Sequence, residues 1–393
     1  MADTRQSYSI EEIKGLLWER RREVAMHYAP PRGDWYEDRG LFFTLNPGRA
    51  DRRVGSFVVA LDGDKAGRWN DYATGEHGDL IDLIRLSLGC TMQDALREAR
   101  SYLGLRHDNP EDAARRKAAA ERSLRLAEEA RAKGREQAER RRKGAVALWL
   151  SGQERIQSTP VEYYLRDTRG IDLAQLGRQP GALRYHPAVR YKHLDRETGE
   201  VWDCEMPAML AIVNDGQGRS IACHRTWLSM HPSGRWDKAP VPKPKKVLGD
   251  YAGGSIHLWR GILPGGKRGK PLADAPAGSH VYITEGIEDA LSAVILLPEA
   301  RVIAGISLSN FGGVQLPDTI STVTLIADRD PGADAQRALA RAIATHQRAG
   351  REVRIWQNRD GGKDLNDALR ARLQQQQEQN EGQEHGSDID RAG

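Results

Sequence analysis

The chain has 393 residues, room for two or three domains, and its 39% hydrophobic and 29% charged residues suit a globular protein on the polar side. No window approaches the roughly 18 consecutive apolar residues of a membrane span, and the polar start MADTRQSYSIEEIKGL lacks the apolar core of a secretory signal. Three scattered cysteines, Cys90, Cys204 and Cys223, exclude a disulfide scaffold and a CxxC zinc site, so a reduced, cytoplasmic protein is expected.

The net charge is only +4, but it is unevenly spread: residues 219–270 hold eleven Lys/Arg against two acids, whereas 281–373 are well supplied with Asp and Glu. A basic segment ahead of an acidic one suits a polyanion surface beside a metal site. A solvated loop surface is the plain alternative.

In chain order, residues 1–106 predict a helix over 10–28, strands over 42–45 and 56–61, and helices over 79–88 and 92–103. Thr91 with Asp94 sets a capping-box start for the last of these. Within the linker 107–143, residues 111–143 are almost only Ala, Glu, Arg, Lys and Gln, a run that favours helix but lacks the apolar surface for a core. It reads as a charged helical linker. Residues 144–276 open with helices over 145–153 and 160–169, then turn to short strands punctuated by Asn214-Asp215-Gly216 and Ser233-Gly234. Within 277–373, strands over 280–284, 301–304, 323–327 and 352–357 alternate with helices over 287–297 and 333–349. That rhythm implies a parallel sheet covered on both faces. Residues 374–393, Gln-rich and polar, are expected to be disordered. The expected fold class is multi-domain α+β with a C-terminal α/β, Rossmann-like parallel-sheet domain.

Three acidic clusters follow predicted strands or a Gly turn in the last domain: Thr284-Glu285-Gly286-Ile287-Glu288-Asp289, Ala327-Asp328-Arg329-Asp330 and Gly362-Lys363-Asp364-Leu365-Asn366-Asp367. Sites in open α/β sheets form at the carboxyl ends of strands. Carboxylates gathered there repel and call for hard cations such as Mg²⁺ or Mn²⁺. Singly, Asp330, Asp334 or Asp364 could be ordinary helix N-caps; three clusters in successive βα units favour a site.

The order ITEGIEDA, LIADRD, GGKDLNDAL over 279–373 resembles the Toprim domain, the metal-dependent fold of bacterial primases, type IA and II topoisomerases and some nucleases. The resemblance implies that Glu285 is a general acid/base or metal-proximal carboxylate and that Asp328 and Asp330 hold Mg²⁺. Asp289 and Asp364 fall on its further acids. Primases place a second Asp where this chain has Asn366, which still offers an oxygen, and Asp367 is the acid that would compensate.

Upstream, Leu183-Arg184-Tyr185-His186-Pro187, Cys223-His224-Arg225-Thr226-Trp227 and Lys243-Pro244-Lys245-Lys246 resemble the domain that precedes Toprim modules in primase-like proteins of phages, plasmids and integrative elements. Arg225, Lys243, Lys245 and Lys246 are the candidate phosphate contacts, Lys as a point charge and Arg as a bidentate fork. A proline-stiffened surface turn is the alternative for the lysine run.

The N-terminal motifs Asn46-Pro47-Gly48-Arg49, Gly55-Ser56-Phe57, Gly67-Arg68-Trp69 and Gly78-Asp79 resemble the zinc ribbon that opens bacterial primases. Here Asn46 stands in the place of the first Cys, and His77 alone cannot hold tetrahedral zinc. A degenerate, zinc-free ribbon is expected, its core held by Phe57, Trp69, Tyr72 and Ile81. Arg49, Arg52, Arg53, Arg68 and Trp69 are candidates for touching single-stranded template, with core packing an equal alternative for Trp69.

The leading functional expectation is a DNA primase, a metal-dependent nucleotidyltransferase that copies single-stranded DNA from NTPs or dNTPs during replication of a mobile element or phage. A separate replicative helicase is an expected partner, because no GxxxxGK[ST] phosphate loop occurs in the sequence. The rivals are a non-catalytic single-stranded-DNA-binding accessory protein and a Toprim nuclease.

Overall fold

A computed structural model describes residues 8–51, 53–105, 110–195, 198–329, 332–359 and 362–391. Arg52 and Asp330, both singled out above, lie outside them. The chain forms two compact units, 1–139 and 140–393.

The first unit opens with α1 (Ile10–Glu19) and α2 (Arg21–Tyr28). The single helix expected there is interrupted at Arg20, whose backbone leaves the helical region. Five antiparallel strands follow in the order β1 (Tyr36–Asp38), β2 (Leu41–Thr44), β3 (Phe57–Ala60), β4 (Trp69–Asp71) and β5 (His77–Gly78). Helices α3 (Leu80–Leu88) and α4 (Met92–Tyr102) close the unit, each started by a side-chain cap, Asp79 and Thr91. Alternation along the strands sends Phe42, Val59 and Trp69 into the core with Ile13, Leu17 and Leu83. The opposite row is Tyr36, Phe43, Val58, Asn70 and His77. Tyr72 is not a core residue: it lies in the turn beyond β4 and is 59% exposed. Helix α5 (Pro110–Ser151) runs through the described part of the expected linker and into the helix predicted after it.

The second unit holds two sheets. A short helix, α6 (Pro160–Tyr163), runs into a π-helical turn, Tyr164–Thr168. Then β6 (Leu183–Leu194), β7 (Val201–Asn214), β8 (Ser220–Met230) and β10 (Lys245–Gly249) form an antiparallel sheet in the order β10-β8-β7-β6, with β9 (Trp236–Lys238) paired to β8. The next strand, β11 (Ile256–Arg260), leaves that sheet for the second one. A small ribbon, β12 (Ile262–Leu263) with β13 (Lys267–Arg268), leads to β14 (Ser279–Thr284), α7 (Ile287–Leu296), β15 (Arg301–Ala304), β16 (Ile320–Ile326), α8 (Ala333–Arg348), β17 (Glu352–Trp356) and α9 (Leu365–Arg391). The order is β11-β15-β14-β16-β17, parallel except for β11.

Both faces of this sheet are covered, as the strand–helix alternation requires. Val281, Ile283, Val323 and Leu325 pack with Phe311, from the turn after β15, and with Ala342 of α8 on one side. On the other, Val302, Ala304 and Ile326 meet α7 and Leu365 and Leu369 of α9. Ile156, Leu183 and Met209 belong to that same core, so the 144–276 subdomain and 277–373 pack against each other within the second unit. Residues 374–391, expected to be disordered, continue α9; Gln and Glu sustain a helix by propensity without needing a core.

Candidate active site

In the parallel pair β14–β16, Thr284 lies opposite Ile326. Each strand therefore delivers its next residues to the same edge, Glu285 from one and Asp328 from the other. Asp289 joins them from the first turn of α7, and Asp364 from the N-cap of α9. The four line one cleft of about 210 Å³. Gly286, between Glu285 and α7, has an ordinary extended φ of −96°. It matters for space rather than for turning, since a Cβ there would stand 3.2 Å from Asp289 Oδ2 and 3.3 Å from Glu288 Oε2.

The cleft is electrostatically unfavourable for its acids. Burial and then the charge of Asp364 push the Asp289 carboxyl up to about 7. Glu285 is raised by burial and by Asp328, and Asp328 by burial, with Asp364 adding to it. Among the described residues Lys363 pairs with an acid of this group, its Nζ standing 3.4 Å from Asp328 Oδ2. An all-oxygen donor set in which Glu285, Asp289 and Asp328 are pushed toward protonation suits a hard divalent cation in its chemistry. Among the described residues no group of three or more His, Cys, Asp or Glu is gathered tightly enough to hold a metal ion, and the second Asp of the LIADRD motif lies outside them.

Asn366, which lines the cleft, and Asp367 are both engaged in hydrogen bonds at the start of α9. Asn366 is 3% exposed; its amide donates to the Arg169 carbonyl at 2.8 Å and to Ser292 Oγ at 2.9 Å, and its backbone N–H donates to Asp289 Oδ1 at 3.0 Å. It ties the start of α9 to the π-helical turn. Asp367 accepts from the Lys363 backbone N–H at 2.8 Å, while its own N–H donates to Asp364 Oδ1 at 2.8 Å. The two form a reciprocal cap on α9.

Strand geometry divides the basic candidates. Neighbouring residues on a strand point to opposite faces, so Lys245 and Lys246 part company. Lys245 enters the acidic cleft and donates to Glu288 Oε2 at 3.0 Å. Lys246 lies opposite Arg225 in the β8–β10 register, its Nζ 4.0 Å from the Tyr191 ring, while Arg225 stacks over Trp227 at 4.9 Å. Arg225 Nε is buried without a hydrogen-bond partner. Lys243 is exposed, and its backbone N–H donates to Tyr191 Oη at 3.4 Å, on the side of Lys246.

Glu288, Lys238 and Arg169, to which the sequence assigned no role, also line the cleft. Glu288, 5% exposed, accepts from Lys245, from Lys238 Nζ at 3.1 Å and from Tyr164 Oη at 2.7 Å. The two ammonium groups, working against its burial, hold its carboxyl well below the usual range. Arg169 donates to the same phenol at 3.1 Å. Glu288 sits inside a motif already quoted, but nothing in the sequence tells which face of α7 meets Lys238 or Arg169.

In the N-terminal unit, Asn46 donates to the fully buried Asp71 at 2.8 Å, and Arg49 pairs with Asp71 at 3.1 Å and Asp51 at 2.5 Å. Arg49 is thus engaged inside its own unit. Trp69 is 5% exposed and stacks on Phe57, so its ring is occupied by packing. Arg53 and Arg68 are exposed. The aromatic pair on the outer face is Tyr36 and Phe43, stacked at 4.6 Å.

Residues 280–375 match the Toprim domain, and residues 139–258 match a domain of unknown function, DUF7146. The chain is a Toprim-domain protein, as its three acidic motifs indicated, in a mixed α+β setting with that domain at its C-terminal end. Among solved structures it is similar to the zinc-binding and RNA polymerase domains of the Aquifex aeolicus primase, at 14% identity over 92% of this chain and 82% of that one, with a TM-score of 0.35. It is similar also to a Pseudomonas aeruginosa DNA primase domain, at 14% identity over 59% and 74% with a TM-score of 0.36. A DnaG primase catalytic domain bound to ssDNA aligns at 13% over 61% and 78%, with a TM-score of 0.38. These likenesses are too distant to transfer a residue role or an activity. No curated protein matches the chain. Among the described residues no helix is long and apolar enough to cross a membrane.

Proposed function

We propose that the protein is a DNA primase-type nucleotidyltransferase, joining nucleotides on a single-stranded DNA template during replication of a phage or mobile element. The observation that carries this reading is one cleft in which the acids Glu285, Asp289, Asp328 and Asp364 face Lys245, Lys238 and Arg169. Cations from the antiparallel sheet and the π-helical turn, and carboxylates from the strand ends and helix starts of the parallel sheet, suit a triphosphate that must be both neutralised and held.

Asp328 and Glu285 would hold a divalent cation, with Asp364 toward a second; when bound, such ions lower the pKa of an attacking hydroxyl and stabilise the leaving pyrophosphate oxygen. Glu285, raised in pKa by burial and Asp328, is suited to taking up the proton of that hydroxyl. Lys245 orients phosphate, its ammonium steadied by Glu288. Single-stranded template would run over Arg68 and the Tyr36–Phe43 pair in the N-terminal unit, stacking and cations together. NTPs or dNTPs are the second substrate, and a separate helicase is the expected partner.

The test is primer synthesis on single-stranded DNA with labelled NTPs and dNTPs in Mg²⁺ or Mn²⁺. Asp328→Asn is expected to lower it by roughly 10²–10³-fold. Single-stranded DNA binding with no product from the wild-type chain would favour the accessory-protein reading, and metal-dependent loss of the DNA itself would favour a nuclease.

A further inference from the structure

We propose that the cluster Arg178, Arg260, Arg268 and Arg301, with the apolar Leu263 beside it, is a docking surface for an acidic peptide segment of a partner protein. The cluster lies at the other end of the parallel sheet from the acidic cleft. Arg301 opens β15 and Arg260 closes the antiparallel β11, whereas Glu285 and Asp328 follow the carboxyl ends of β14 and β16. Nothing in it depends on the chemistry proposed for the cleft.

In the β11–β15 register Arg260 stands directly opposite Arg301. Like charges so placed destabilise an antiparallel pair. The chain then adds to the charge. At Gly261, whose φ is 82°, it turns into the ribbon β12–β13, and the Gly269 N–H closes back on the Gly261 carbonyl at 3.0 Å. That ribbon carries Lys267 and Arg268, and a Cβ on Gly181 would stand 4.0 Å from Arg268 Nη2. Arg178, three residues before Gly181, lies over the Trp259 ring at 4.5 Å and donates to the Gly261 carbonyl at 3.4 Å. Arg301, 8% exposed, donates to the Lys270 carbonyl at 2.8 Å. Among the described residues none of the four arginines meets a carboxylate at ion-pair distance. Burial and then the neighbouring guanidinium groups pull Arg178, Arg260 and Arg301 below their ordinary range, and the charge of Asp274 offsets this at Arg260 only in part. A bound anion would relieve that repulsion and stabilise the fold.

Guanidinium forks match carboxylates and phosphates alike, so the surroundings decide between a peptide and a nucleic acid. Leu263, 48% exposed, stands opposite Lys267 on the ribbon, next to the exposed Pro264. A phosphodiester backbone has nothing to cover such a shoulder, whereas a peptide carries carboxylates and apolar side chains together. Trp259 is closed to a base: it is 4% exposed, covered by Arg178, and its indole N–H donates to the Pro298 carbonyl at 2.7 Å. Single-stranded nucleic acid needs open rings on which to stack.

The test is fluorescence anisotropy of the full chain with three labelled probes: a peptide of Asp, Glu and Leu, the same peptide with Asn and Gln in place of its acids, and duplex DNA. The acidic peptide is expected to bind about tenfold or more tightly than its amide counterpart. Arg268→Glu, on the exposed ribbon, lowers that affinity by about tenfold or more, Arg268→Lys keeps part of it, and Leu263→Ser weakens it a few-fold. Arg260→Thr removes one of the two opposed charges, so it raises the thermal midpoint of the free protein while weakening the peptide. A lowered midpoint in Arg260→Thr means that the cluster is answered within the fold and overturns the proposal. Equal binding of the two peptides, or unaltered affinity in Arg268→Glu, overturns it as well. Duplex DNA that binds more tightly than the acidic peptide, and is released by Arg268→Glu, overturns it in favour of a nucleic-acid contact.

Discussion

Carboxylates in the two units stand in opposite situations. In the N-terminal unit, buried Asp71 is enclosed by Asn46 and Arg49, Asp51 pairs with Arg49, and Asp79 caps α3 while meeting Lys14 at 3.1 Å. Those charges are answered within the fold. In the C-terminal unit, Glu285, Asp289 and Asp328 are each pushed up by burial and by a neighbouring acid. A buried acid opposed by another acid is stable only if it keeps its proton or gains a cation. The difference separates polar groups that hold a fold from polar groups that await a ligand, although both sets are rich in Asp and partly or fully buried.

The sharpest test of this contrast removes the one well-answered carboxylate of the cleft. Glu288→Ala leaves Lys238 and Lys245 without their counter-charge. It is expected to cost the C-terminal unit about 2 kcal/mol in denaturant unfolding, less than a fully buried pair because solvent still screens both ammonium groups. Glu288 has a depressed pKa, so its contribution is present at neutral pH and fades as the pH falls below the ordinary carboxylate range; the variant should lose that acid dependence.

Asn366→Asp comes next. Restoring the acid of the primase pattern would face a carboxylate with the Arg169 carbonyl and lose two donated hydrogen bonds. We expect a loss of about 1–3 kcal/mol in unfolding and no gain in Mg²⁺ affinity by titration; tighter Mg²⁺ binding would return Asn366 to the ligand set.

A smaller effect is set by pH. Folded Asp289 holds its proton more firmly than the unfolded chain does, its value rising from 3.8 to about 7. Without a divalent cation the protein should therefore lose stability as the pH rises through that interval. Thermal melts from pH 5 to 8 should fall in EDTA and flatten in Mg²⁺, and Asp289→Asn should remove most of the slope. Hydrogen exchange in β2–β4 should not respond to EDTA; a response would break the contrast between the units.

The smallest expected change is Arg68→Ala. One exposed phosphate contact should lower single-stranded DNA affinity a few-fold and reduce the slope of log affinity against log salt by about 0.7. An unchanged slope would move the template path off this face.

Much of the secondary structure was legible because it is local. Asp79 and Thr91 mark helix starts by their own side chains, and the strands around Val281 and Val323 are apolar runs between Gly- and Asp-rich turns. Failures occurred where a partner distant in sequence decides the outcome. Trp69 and Tyr72 lie three residues apart beside the same strand, yet one is core and the other surface, because β4 ends between them. Lys245 and Lys246 looked like one basic patch until strand pairing sent them to opposite faces.

By itself the sequence determined the Toprim domain, the strand-end position of its acids and the absence of the cysteine ligands of a zinc ribbon, since these depend on residue type, order and spacing along the chain. The tertiary structure decided what those residues face. It brought β11 into the Toprim sheet with Arg260 opposite Arg301, set Lys238, Lys245 and Tyr164 around Glu288 and turned Asn366 inward. Each of these depends on contacts between segments tens to hundreds of residues apart, where burial and neighbouring charge, rather than local pattern, fix the energy of a side chain.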